Sequence, residues 1–180
     1  MNDMRVNREW ANRPDDQRFL SMDELLQSVK NRADNSRVSV LDSSEMKAYG
    51  TEENELVLNT SAGVKFFTNW SFGQVSQIAG APSSYLKKLP AVIAADNLTY
   101  GLSHAIRDKS MIMHNGNDTL RAVTSESYGR IWDYQIAGAV KNIVDQSCGS
   151  WKVPAASYAS GNPKRATTLY ASDRDIFLFL

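Results

Sequence analysis

Apolar residues recur along this chain with two periods, and the period changes several times. After a polar opening, "SMDELLQSVKNRADN" sets Met22, Leu25, Leu26, Val29 and Ala33 at helical spacing, one stripe for a core. Ser21 and Glu24 stand at capping-box spacing and mark the helix start. Short runs rich in β-branched residues follow, "RVSVL" (37–41), "LVLNT" (56–60) and "GVKFF" (63–67), and predict three strands around two turns. The helical period returns from near Ser71 to Gly80. It returns again after Pro90, where Ala91, Ala94, Ala95, Leu98, Leu102, Ala105 and Ile106 share a face.

"SMIMHNGNDTLRAVTS" reads as a hairpin, with Asn115-Gly116 expected to supply the two positive φ angles of a type I′ turn. Beyond it, Asp133 is the expected N-cap of a helix whose apolar face is Ile136, Ala137, Val140, Ile143 and Val144, with Gly149 as its stop. "ATTLYASDRDIFLFL" predicts two closing strands joined by residues 172–175. The fold class is therefore α+β: antiparallel hairpins packed on about three helices, with the last strand completing a sheet. Residues 1–20 form a polar arm, in which Trp10 is expected to bury its ring, and residues 21–180 form one α+β domain. "IFLFL" is apolar on both faces, so it is expected inside a sheet. Either the chain is the N-terminal part of a longer protein or a partner covers that strand.

Composition narrows the function classes. The chain has 20 basic and 20 acidic residues, so no global field draws it to nucleic acid or membrane. The distribution is uneven: residues 1–60 hold 12 acidic and 8 basic side chains, and residues 61–180 hold 8 and 12. The later part is thus mildly basic, which suits phosphate. One cysteine, Cys148, excludes an intramolecular disulfide and reads as a small core residue. No stretch approaches a membrane span and the opening residues lack a signal-peptide core, so no membrane partner and a cytoplasmic location are expected. The four Asn-x-Ser/Thr matches then carry no glycan.

Phosphate loops, dinucleotide fingerprints, zincin motifs and nucleophile elbows are absent, and no cofactor is implied. Nothing in the spacing joins His104 or His114 to Cys148 as a nucleophilic pair. The informative pattern is cationic and aromatic. Arg121 and Arg130 flank a serine-rich corner with Tyr128 and Trp132, and Lys164, Arg165 and Arg174 lie near the end. Charge for a backbone beside flat rings for bases is what single-stranded nucleic acid needs, each stacked base contributing ~1–3 kcal/mol. The competing account is that such rings close a core and such cations keep a surface soluble.

"REWANRPDDQRF", "APSSYLKKLP", "LRAVTSESYGRIWDYQIAGAV" and "LYASDRDIFLFL", in that order, carry a resemblance. The chain resembles the uncharacterised phage- and plasmid-related proteins that carry domain of unknown function 932, over most of residues 8–180. It departs at Glu126-Ser127, where relatives often have Asp-Arg, so the corner has one cation fewer. The resemblance implies no reaction or catalytic residue. It implies a context of mobile elements, whose proteins commonly handle nucleic acid or act for or against host defence.

The leading expectation is a nucleic-acid-binding module of a mobile element, serving recombination or replication, with single-stranded DNA as partner. Arg121, Arg130, Lys164, Arg165 and Arg174 would meet phosphates, and Tyr128 and Trp132 would stack or position. One alternative is a metal-dependent enzyme completed by further sequence, with Glu126, Asp133, Asp173 or Asp175 as ligands. Another is an interaction or assembly module, host-defence proteins included, that self-associates through its terminal strand.

Overall fold

The computed structural model describes residues 14–105, 109–116, 118–153, 167–172 and 175–180. In chain order its elements are β1 (Arg18–Phe19), α1 (Met22–Asp34), β2 (Ser36–Asp42), β3 (Lys47–Gly50), β4 (Leu56–Thr60), β5 (Gly63–Phe67), α2 (Asn69–Ile78), α3 (Ser83–Leu86), α4 (Ala91–Ser103), β6 (Lys109–Asn115), β7 (Thr119–Ser125), α5 (Asp133–Gln146), β8 (Leu169–Ala171) and β9 (Ile176–Leu178). This is an α+β fold. Trp10, Lys164, Arg165, Asp173 and Arg174 lie outside the described residues. Backbone contacts divide the chain into two compact units, residues 35–129 and the residues on either side of them.

The outer unit rests on α1 and α5, which pack together. Ser21 Oγ accepts from the Glu24 amide at 3.2 Å, as the capping signal predicts. The Glu24 carboxylate reaches one residue further back than a capping box does, accepting from the Leu20 amide at 2.9 Å. The stripe on α1 buries Met22, Leu25 and Val29 against Ala137, Phe19, Leu169 and Ala171. Lys141 on α5 reaches both Asp23 (3.3 Å) and Asp145 (2.9 Å), and these bonds raise its pKa. Strands β1, β8 and β9 form an antiparallel sheet with β8 in the centre.

Two expectations about this unit are corrected. Trp132, not Asp133, is the N-cap, because Gln135 Oε1 accepts from the Trp132 amide at 2.8 Å; Asp133 is the first helical residue. Cys148 is exposed: it follows the helix in a left-handed conformation, φ 49°, just before Gly149 at φ 88°, and so leaves the core face. The terminal strand is an edge among the described residues. Its residues 176–178 are half-buried while β8 is fully buried, since one face of β9 packs on the unit's core and its outer edge has no neighbour there.

The middle unit is one six-stranded sheet of order β2-β6-β7-β5-β4-β3, with α2 and α4 on one face. All neighbours are antiparallel except β5 and β7, which run parallel because the chain leaves β5 through three helices and β6 before returning beside it. Strand β2 therefore pairs with β6 and stands far across the sheet from β4, and β3 is a strand that the apolar runs do not announce. The core under the helices is Leu58, Val75, Leu98, Leu102, Ile112 and Leu120. At Gly50 the helix α4 lies directly on β3: a Cβ there would stand 2.6 Å from the Val92 amide nitrogen. The hydroxyl of Thr99 also accepts from the Ala48 amide at 3.0 Å. The opposite sheet face carries Val38, Val40, Tyr49, Val64 and Phe66, each between 45% and 48% exposed.

The β6–β7 hairpin is present, but its turn is not the one Asn115-Gly116 suggests. Asn115 stays in the ladder opposite Ser36, so its backbone is extended, and neither it nor Gly116 has a positive φ. Among the described residues of the turn, Asp118 is left-handed, at φ 56°. The Asn115 side chain instead accepts from the Thr119 amide at 3.1 Å, and a register shift after Met113 absorbs the longer loop.

Candidate functional site

The structure places the sequence-derived candidates in different parts of the chain. Arg121 is half-buried on β7 and Tyr128 is exposed in the turn that follows, its amide donating to Ser125 O at 3.0 Å; both belong to the middle unit. Arg130 and Trp132 belong to the outer unit, at the entry to α5, with the guanidinium 5.0 Å from the centre of the indole ring. Lys164, Arg165 and Arg174 lie outside the described residues. Two candidates are thus brought into direct contact, and that contact is a cation–π pair.

Tyr128 lies in a different setting. It lines an open cleft of about 840 Å³ formed by the C-terminal ends of α2 and α4 and by β7. Helix α2 stops there because Gly80 takes φ 66°, and α4 approaches closely because residue 101 is glycine: a Cβ would run into the carbonyl oxygen of Ala79. Gln74 ties α2 to the sheet, its Oε1 accepting from the Val123 amide at 2.9 Å.

The rim is aromatic. Tyr100 and His104, one helical turn apart, stack with ring centres 4.3 Å apart and planes 29° apart. Nδ1 of His104 lies 2.8 Å from Tyr100 O and 3.0 Å from Ser103 Oγ. A carbonyl oxygen only accepts, so the proton of the neutral ring sits on Nδ1 and Nε2 is an acceptor. Tyr100 and Tyr128 are 69% and 53% exposed. Among the described residues no Lys, Arg, Asp or Glu lines the cleft.

Among the described residues no three His, Cys, Asp or Glu side chains gather into a set that could hold a metal ion. Asp175 is engaged in the β8–β9 turn, where its carboxylate accepts from Ser172 Oγ at 2.7 Å. Among the described residues no helix is long and apolar enough to cross a membrane.

Sequence reasoning singled out Tyr128, weighed His104 only as a partner for Cys148, and missed Gln74, Asn97 and Tyr100. Those residues come from two helices separated in sequence, so their meeting in one cleft is a product of packing. The one local signal is the Tyr100/His104 spacing of four.

No protein-family model, no curated protein and no solved structure matches this chain. The class that the fold defines is an α+β protein with a mixed six-stranded sheet.

Proposed function

We propose that the chain is a nucleic-acid-binding module of the phage- and plasmid-related group it resembles, acting on single strands in recombination or replication. The observation that carries this reading is the Arg130–Trp132 pair. The guanidinium lies 5.0 Å from the centre of the indole ring, which sets a cation beside an aromatic surface, the combination of charge for a phosphate and ring for a base that single strands use. With equal numbers of acidic and basic residues, affinity must come from a few local contacts rather than from net charge.

A salt titration of binding to a single-stranded oligonucleotide tests the reading. Affinity is expected to fall with salt, and Arg130→Ala to flatten the log–log slope by about 0.7, the share of one phosphate on a single strand. Trp132→Ala is expected to weaken binding about tenfold at every salt concentration. No binding at low salt, or an affinity that salt leaves unmoved, overturns it.

A second reading, an assembly module, draws on the edge strand β9. The bonds Ser172 N to Asp175 O (2.8 Å) and Phe179 N to Thr168 O (3.3 Å) set the phase of the ladder. Residues 175, 177 and 179 bond inward, so Ile176 and Leu178 aim their backbone groups at the side away from β8, where no strand pairs among the described residues. Such an edge accepts another strand. Light scattering across protein concentration tests this: a concentration-dependent dimer abolished by Leu178→Pro supports it, and a monomer throughout sinks it.

A further inference from the structure

We propose that the cleft of the middle unit is a seat for one unstacked nucleobase. The inference deepens the nucleic-acid reading, which locates phosphate and stacking contacts on the outer unit but gives the base itself no pocket.

Three features of the cleft select this ligand class. First, none of the described residues that line the cleft is Lys, Arg, Asp or Glu. The titratable side chains among these described residues are Tyr100, Tyr128 and His104, a lining that suits the neutral part of a nucleotide better than its phosphate. Its volume of about 840 Å³ falls within the range of small-molecule sites.

Second, its exposed rings are of the kind that stack on bases. Tyr100 is already backed by the His104 imidazole at 4.3 Å, which holds the phenol ring in place and lowers the entropy lost when a base lands on it. Tyr128, on the turn after β7, supplies a second aromatic surface from another element.

Third, hydrogen-bonding capacity is left over. Gln74 uses its oxygen on Val123, which leaves the amide NH₂ to donate. Asn97 uses its NH₂ on Ile93 O at 2.8 Å, which leaves its oxygen to accept. The Nε2 of His104 accepts as well. A flat molecule bearing both donors and acceptors on its edge matches this set, and a nucleobase is that molecule.

The experiment uses the 180-residue chain and follows backbone amide NMR shifts while adenosine, guanosine, cytidine or thymidine is added. Deoxyribose 5-phosphate and a methyl glycoside serve as base-free controls. At least one nucleoside is expected to shift amides of residues 78–81 and 101–105 at millimolar concentration, and the controls to shift none. Tyr100→Ala and Tyr128→Ala, both at exposed positions and hence compatible with folding, are each expected to weaken that response about tenfold.

No shift from any nucleoside up to about 10 mM overturns the proposal, and so does an equal shift from the glycoside, which would make the cleft a carbohydrate site. Single-stranded DNA added in parallel separates the two levels. DNA binding that ignores both tyrosine variants, with no nucleoside response, removes the cleft and leaves the outer-unit reading. A nucleoside response without DNA binding keeps the cleft, makes the free nucleoside its ligand and removes the other reading.

Discussion

The ammonium of Lys65 lies 2.6 Å from Asp118 Oδ1, joining strand β5 to the loop between β6 and β7 across 53 residues of sequence. The lysine side chain is 5% exposed and the aspartate 65%, so the pair is a buried cation held by a carboxylate at the surface. The neighbouring backbone bond, Phe66 N to Asp118 O at 2.8 Å, shares the same loop residue.

Removing the carboxylate and removing the cation have different consequences. Asp118→Ala leaves a buried ammonium without its partner and is expected to lower the melting temperature by several degrees. Lys65→Met removes the charge and keeps an apolar stem of similar length, and is expected to be close to neutral. Thermal unfolding of both variants checks this, and an aspartate variant as stable as the parent contradicts it.

His114 gives the middle unit a pH dependence. Burial, first, and then the Lys65 charge hold its pKa below the ordinary value of about 6.5, with Arg37 acting the same way; the Asn115 backbone bond and Asp118 oppose them. The unfolded chain therefore takes up a proton near pH 6.5 that the folded chain refuses until lower pH, so unfolding binds protons in that window. Stability is expected to fall as pH drops from about 6.5 through the lowered folded value. Urea midpoints across this range should decline for the parent and decline less for His114→Asn. The carboxylate of Asp118, whose pKa is lowered chiefly by its hydrogen bond to Lys65, titrates well below this window.

The start of α2 is fixed by a reciprocal pair. Thr68 Oγ1 accepts from the Ser71 amide at 3.1 Å, and Ser71 Oγ accepts from the Thr68 amide at 2.9 Å, with Ser71 fully buried. Thr68→Ala is expected to cost about 1 kcal/mol and Thr68→Asp much less, read from chemical unfolding. Because α2 carries Gln74 into the cleft, the same variant tests whether the cleft depends on the helix start.

The elements of this protein were largely legible one at a time. The stripe of α1, the β-branched runs at β4 and β5 and the alanine-rich face of α4 appear where periodicity puts them, because each depends on the neighbours a few residues away. The turn at Asn115-Gly116 failed for the opposite reason: the ladder with β2, in which Ser36 stands opposite Asn115, kept Asn115 extended. The exposure of Cys148 likewise depended on a left-handed exit from α5.

By itself the sequence determined the α+β class, the faces that helices bury and the aromatic, cationic corner, because short-range spacing is enough to specify them. Tertiary structure alone decided that β5 and β7 run parallel, that Arg130 lies on Trp132 while Tyr128 turns to a separate cleft, and that Tyr100, His104, Gln74 and Asn97 share that cleft. Those arrangements arise where elements distant in the chain are packed side by side, and local propensity carries no information about which ends will meet.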